Sequence, residues 1–127
     1  MKSLSVTKDL DGLSGIVQLN IDDIAFLEFD SRSGKIFIHT IEDRIFYTVG
    51  SLKYWTMVLN NSGYRFFVAD RNNAVHIDKI VEMNGLLKVA YFQTNRTNAS
   101  KHCTMSKSGY KEVSELLGLR KSMVIYT

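Results

Sequence analysis

The stretch that decides the fold is Arg65-Phe66-Phe67-Val68-Ala69-Asp70-Arg71-Asn72-Asn73-Ala74-Val75-His76-Ile77-Asp78-Lys79-Ile80. The runs Tyr64–Val68 and Ala74–Ile77 are rich in aromatic and β-branched residues, as β-strands are. The polar residues between these runs include asparagines, which are frequent where a chain turns. The stretch therefore predicts two neighbouring strands with a polar connection between them.

Six further runs on either side have the composition of strands and are flanked by turn residues. They are Gly15–Leu19, Ile24–Phe29, Lys35–Thr40, Arg44–Val49, Leu86–Phe92 and Lys101–Met105. A polar hairpin loop, residues 30–34, separates the second run from the third, and Gly34 permits the positive φ that a tight hairpin needs. Thr94–Ser100 predicts a second polar connection.

Two segments have the periodicity of helices instead. In Ser51–Asn60, apolar residues recur at three- and four-residue steps behind a serine that can cap the first turn. Ser108–Leu117 has a similar apolar stripe, and Gly118 after it suits a left-handed C-terminal cap. Together these patterns predict a mostly β protein with two short helices.

The composition allows one hydrophobic core and excludes several classes of protein. The chain has 127 residues, of which 45% are hydrophobic and 11% aromatic. No apolar run approaches the roughly 20 residues that span a membrane, and residues 1–15 lack the apolar segment of a secretion signal. Cys103 is the sole cysteine, so no internal disulfide can form. We therefore expect a cytoplasmic protein with no membrane partner.

The net charge of +3 comes from the C-terminal end of the chain. Acidic and basic residues balance up to residue 100, whereas residues 101–127 carry Lys101, Lys107, Lys111, Arg120 and Lys121 against Glu112 and Glu115. This bias is compatible with phosphate binding, although many proteins without a nucleic-acid role have the same balance.

Four short motifs occur in an order that points to one family. They are the acidic turn and apolar run Ile21–Glu28, the helix start Gly50-Ser51-Leu52-Lys53, the opening stretch Arg65–Ile80, and Met105–Glu112 before the last helix. With the polar hairpin loop between the first two, this series resembles the LytTR-type DNA-binding domain of bacterial transcription regulators over about residues 16–118.

The resemblance implies elongated antiparallel β-sheets with two short helices. It divides the chain into an N-terminal extension (1–15), the LytTR-like domain (16–118) and a C-terminal tail (119–127). No upstream receiver domain is present in the sequence, so we expect a free-standing, single-domain regulator. No cofactor and no enzymatic activity are expected, because no catalytic cluster, metal-ligand spacing or nucleotide-binding glycine loop is visible.

The resemblance also implies that loops and strand ends enter the major grooves of DNA. Three places match these elements: Arg32, Ser33 and Lys35 in the hairpin loop; Arg71, Asn72 and Asn73; and Lys107 and Ser108, reinforced by Lys101 and Lys111. Arginine can bind guanine and asparagine can bind adenine, while hydroxyl and ammonium groups suit phosphate. A solvated turn, ordinary turn chemistry and helix capping are the respective alternatives.

Several positions depart from the family pattern. Asp70 replaces the usual histidine, Asn72-Asn73 replaces a serine and an aromatic residue, and His76 replaces an asparagine. Lys107-Ser108 stands in place of an arginine pair.

Two functions follow from the sequence. The first is sequence-selective binding of double-stranded DNA, as a homodimer on repeated half-sites. The alternative is a protein-interaction module, an inhibitor or partner of a regulator with weak or no DNA binding. Asp70, Ser108 and the small net charge favour this alternative.

Overall fold

The computed structural model describes residues 2–97 and 100–127, and the strands there form two sheets. The first sheet contains β1 (Ser3–Thr7), β2 (Ile16–Asn20), β3 (Ile24–Asp30), β4 (Lys35–Thr40), β5 (Ile45–Thr48), β6 (Phe66–Asp70) and β7 (Asn73–His76). The second contains β8 (Glu82–Asn84), β9 (Val89–Tyr91), β10 (His102–Thr104) and β11 (Ile125–Tyr126). Two α-helices, α1 (Leu52–Asn61) and α2 (Lys107–Leu116), complete the fold, with short 3-10 turns at Ile21–Asp23, Ile77–Lys79 and Gly118–Met123.

The first sheet is antiparallel throughout, in the order β2-β1-β5-β4-β3-β7-β6. The second has the order β10-β9-β8-β11. The mostly β architecture with two α-helices, predicted from the sequence, is confirmed. The predicted antiparallel sheets are confirmed too, and one additional strand pair, β11 with β8, is parallel.

Apolar side chains cover both faces at the centre of the first sheet. On one face, Leu27 and Ile38 pack with Leu59 of α1 in one buried cluster. On the other face, Phe26 and Val75 pack with Val113 of α2 and with the second sheet. Successive residues of a strand point to opposite faces, so β3 and β7 serve both clusters. The two helices thus lie on opposite sides of the same sheet.

Several predicted element bounds need correction. The run Leu86–Phe92 is not a strand from its start, because Asn84 Oδ1 accepts a hydrogen bond from the Leu87 N–H and Lys88 adopts a φ of 56°. The strand begins only at Val89. Strands β1, β8 and β11 are not predicted by the sequence patterns. Residues 98 and 99 of the predicted connection Thr94–Ser100 lie outside the described residues.

Serine side chains fix the starts of both helices, as the sequence predicts for α1. Ser51 Oγ accepts a hydrogen bond from the Tyr54 N–H, and Ser106 Oγ accepts one from the Gly109 N–H. After α2, Gly118 has the predicted positive φ, 52°. Neither helix is long and apolar enough to cross a membrane, and the same holds for every helical segment within residues 2–97 and 100–127.

Candidate nucleic-acid interface

Three connecting segments meet at one end of the first sheet. They are the β3–β4 loop (31–34), the β6–β7 turn (71–72) and the start of α2 (106–108). Strands β3 and β6 run in the same direction because each is antiparallel to β7, so both end on this side. The Phe29 N–H donates to the Asn72 carbonyl (2.8 Å), and the Ser106 N–H donates to the Ala69 carbonyl (3.0 Å). We call this end of the sheet the loop edge.

The β3–β4 loop is braced from within by Asp30. Its Oδ2 accepts hydrogen bonds from the Ser33 N–H (3.0 Å) and the Ser33 hydroxyl (2.8 Å), and these bonds lower the pKa of Asp30. Ser33 Oγ also accepts a bond from the Lys35 N–H (3.2 Å). Ser33 therefore shapes the turn, and Arg32 is held exposed at its tip.

The β6–β7 turn exposes two of the three residues that the sequence singled out. Arg71 and Asn72 lie at the surface, and the Arg71 N–H donates to the carboxylate of Asp70. Asn73 differs, since it is only 7% exposed and its Nδ2 donates to the carbonyl (3.0 Å) and hydroxyl (2.8 Å) of Thr104. Its amide hydrogens are thus used inside the protein.

The start of α2 lies directly against β6. Gly109 is buried there, and a Cβ atom added to it would sit 1.9 Å from the Ala69 carbonyl oxygen. Lys107, Ser108 and Lys111 are exposed, and Ser108 faces the groove beside β6. Lys107 and Lys111 are four residues apart, so they share one helix face.

Lys101 lies apart from the loop edge. Its ammonium group is 3.5 Å from the carbonyl of Arg44, in the β4–β5 connection at the opposite end of β4. It lines a polar cavity together with Glu28 and His39, and partial burial lowers its pKa. The structure therefore does not bring Lys101 together with Lys107 and Lys111.

The charge of the loop edge is mixed. An open groove between the β6–β7 turn and α2 is lined by Arg71, Ser108 and two carboxylates, those of Asp70 and Glu112. No hydrogen bond or ion pair within the described part of the chain engages the charged ends of Arg32, Arg71, Lys107 or Lys111. Four cations at this edge can therefore bind an external anion, although two carboxylates lie among them.

The histidines and the cysteine lie in strands, as the sequence indicates. His39 is in β4, where its Nε2 is 2.8 Å from Glu28 Oε1, and His76 ends β7. Cys103 is fully buried, which raises the pKa of its thiol far above the usual range, as expected for a small apolar residue. No group of three or more His, Cys, Asp or Glu side chains within residues 2–97 and 100–127 could hold a metal ion.

The family model of the LytTr DNA-binding domain matches residues 14–118. The chain belongs to the LytTR family. The LytTR domain is also similar to a solved structure from Bacillus cereus that is named as the LytTr DNA-binding domain of a methyl-accepting/DNA response regulator. The TM-score is 0.67 at 14% identity, over 93% of this chain and 98% of that chain, and this likeness shows the fold. No curated protein matches the chain significantly.

Family membership supports DNA binding and transcription regulation as the role of this LytTR domain. Two residues at the loop edge were missed from the sequence. Thr104 gave no signal, because its link to Asn73 spans 31 positions. Gly109 gave a weak signal, since a glycine inside a helix is unfavourable and often marks close packing.

Proposed function

We propose that this LytTR domain binds double-stranded DNA sequence-selectively through the loop edge, in the cytoplasm of a bacterium. The proposal is supported by one observation above all. The β3–β4 loop, the β6–β7 turn and the start of α2 are held together by main-chain hydrogen bonds, and each presents an exposed cation. Those cations are Arg32, Arg71 and Lys107.

Each cation has a role that fits its chemistry. Arg32 and Arg71 stand on narrow turns, which can enter a major groove about 12 Å wide and reach guanine O6 and N7. Asn72 beside Arg71 can pair with adenine N6 and N7. Lys107 and Lys111 are on a helix face, where ammonium groups and the Ser108 hydroxyl suit the phosphates. Lys35, at the base of the hairpin, also suits phosphate.

Substitution of Arg71 and Lys107 tests this proposal. Arg71→Ala should lower affinity for a duplex selected by the domain from a random pool roughly 5-fold to 150-fold, with less effect on a scrambled duplex. Lys107→Ala should weaken binding to both duplexes and reduce the slope of log affinity against log salt by about one. Fluorescence anisotropy at two salt concentrations measures both effects.

Lys121→Ala is the matched control. Lys121 is exposed next to Arg120, whose guanidinium donates to the Ile77 and Ile80 carbonyls beyond the opposite end of β7. The variant removes the same charge far from the loop edge, so its affinity should stay within about twofold of the wild type. Equal losses in Lys107→Ala and Lys121→Ala would indicate nonspecific attraction and would contradict the proposed interface.

The carboxylates of Asp70 and Glu112 in the groove favour a second candidate, a protein-interaction module. Both groups would repel phosphate, and either could bind a basic group of a protein partner. The same titration separates the two candidates. Undetectable binding of the wild type to either duplex at low salt would support the interaction module.

A further inference from the structure

Asn73 joins two segments of the loop edge that are far apart in sequence. It is the first residue of β7, directly after the turn that exposes Arg71 and Asn72. Its Nδ2 donates to both the carbonyl oxygen (3.0 Å) and the hydroxyl oxygen (2.8 Å) of Thr104, three residues before Lys107. One amide group therefore links the β6–β7 turn to the chain that enters α2.

The entering chain is also held by two main-chain hydrogen bonds, by a bond from the Ser106 hydroxyl to the Ala69 carbonyl (3.2 Å) and by the buried side chain of Met105. The Met105 N–H donates to the Lys88 carbonyl (2.9 Å), and the Ser106 N–H donates to the Ala69 carbonyl (3.0 Å). The first bond ties the segment to the residue before β9, and the second ties it to the end of β6. The bond from Asn73 of β7 is made by its side chain. It therefore depends on which amino acid occupies position 73.

The burial of Asn73 raises the free-energy cost of losing its hydrogen bonds to Thr104. Asn73 is 7% exposed, so little of its amide reaches water, although Thr104 is itself exposed and both residues line an open polar cavity. On the first sheet, Asn73 is opposite Glu28 of β3 and Asp70 of β6, next to an irregularity in the β6–β7 register. The side chain is therefore held between the strands that lead to the hairpin loop and to the β6–β7 turn.

We propose that Asn73 is a positioning residue, which sets the separation of Arg71 and Lys107 so that both contact the same DNA. This inference rests on the proposed function. It assigns Asn73 an indirect role in DNA binding, in place of the base contact predicted from the sequence.

A double-mutant cycle between Asn73 and Lys107 tests the proposal. Asn73→Leu keeps the approximate size of the side chain and removes both hydrogen bonds. Affinity and salt slope are measured by anisotropy for the wild type, Asn73→Leu, Lys107→Ala and the double variant, below the temperature at which circular dichroism detects unfolding. We expect the slope to fall by about one in each single variant.

The double variant gives the decisive result. If Asn73 sets the position of Lys107 on the DNA, Lys107 makes no phosphate contact in Asn73→Leu, so the double variant should match Asn73→Leu. Fold-changes that multiply would show that the two residues act independently and would overturn the positioning role. A purely structural role predicts lower thermal stability of Asn73→Leu with an unchanged salt slope.

A second pair of variants covers the case in which Asn73→Leu does not fold. Thr104→Val removes the hydroxyl acceptor and leaves the bond to the carbonyl, so it should reduce the salt slope by less than Lys107→Ala does. Thr104→Ser retains both acceptors and should behave as the wild type. Equal slopes for both variants would contradict the proposal. If the proposed function itself were wrong, Lys107→Ala alone would leave DNA affinity unchanged, which distinguishes that failure from failure of the positioning role.

Discussion

At His76, the surroundings of the ring fix one protonation state. The side chain is 1% exposed and stacks on Phe66, with the ring of Tyr64 edge-on to it. Its Nδ1 lies 2.8 Å from the Ile24 carbonyl oxygen, which can only accept, so this nitrogen carries the proton of the neutral ring. Burial lowers the pKa of His76 to about 4.

This lowered pKa predicts a loss of stability in mild acid. The unfolded chain binds a proton at His76 below a pH of about 6.5, whereas the folded chain does so only below about 4. The free energy of unfolding should therefore fall as the pH decreases through this window, by about 3 kcal/mol from this group. Below about pH 4 the group should cause no further loss. Urea denaturation at several pH values measures the effect.

His76→Gln is the matched variant, since it retains an N–H donor and does not titrate. Burial also lowers the pKa of His39, so the wild type and the variant both lose some stability in acid. The contribution of His76 is the difference between their two pH profiles. Parallel profiles would refute the assignment.

Exposure at the loop edge is partly readable from the sequence. Arg32 and Arg71 are charged residues in turn-like segments, and both are exposed as turns predict. Asn73 has the same turn-like character, yet it is buried. The reason is tertiary, since Thr104 approaches from the second sheet and no local pattern encodes that approach.

At the scale of elements, Gly109 allows α2 to approach β6 closely. The space that a Cβ would need is occupied by main-chain atoms of Ala69, which cannot move aside as a flexible side chain can. The same turn of helix carries the cap of Ser106 and the exposed Lys107. The position of these groups therefore depends on the absence of a side chain at residue 109.

Gly109→Ala should destabilise the protein. Alanine favours a helix by about 1 kcal/mol over glycine, but the clash with Ala69 should outweigh this gain and leave a net loss of about 2 kcal/mol. Thermal and chemical denaturation measure the loss. Ser108→Ala, at the adjacent exposed position, should change stability by no more than about 0.5 kcal/mol. A Gly109→Ala variant as stable as the wild type would show that α2 can shift without cost.

The sequence predicts an element well when local residues stabilise it, and poorly when distant strands do. Strand β4 was predicted with its observed bounds, because Lys35–Thr40 is rich in β-branched and aromatic residues and follows a clear turn. Strands β8 and β11 have three and two residues, and β8 contains a glutamate and an asparagine. Such short strands form only through pairing with each other and with β9, which local composition cannot reveal.

At the scale of the whole molecule, the two helices have different tasks. Helix α1 closes one face of the first sheet, while α2 covers the other face and also starts at the loop edge. The loop edge is therefore backed by both buried clusters. If it contacts DNA as proposed, one copy of the domain should cover one short segment of the duplex.

Because one copy would cover only one short segment of DNA, we expect two copies to bind repeated half-sites. Half-sites centred about 10 base pairs apart lie on the same face of the duplex, and a shift of about 5 base pairs places them on opposite faces. If the two copies touch, binding to the first spacing should be cooperative and binding to the second should not. Titrations analysed by gel shift distinguish one bound copy from two. Equal cooperativity at both spacings would exclude contact between copies on one face of the DNA.

The main-chain bonds that assemble the loop edge bear on its evolution. The Phe29–Asn72 and Ser106–Ala69 bonds use N–H and carbonyl groups that every residue except proline supplies. If Arg32, Arg71 and Asn72 read bases as proposed, substitutions there should change which bases are preferred while the loops keep their places. With Asn73 and Gly109 retained, this scaffold suits selection of new operator specificities, in nature or from a library randomised at those three positions.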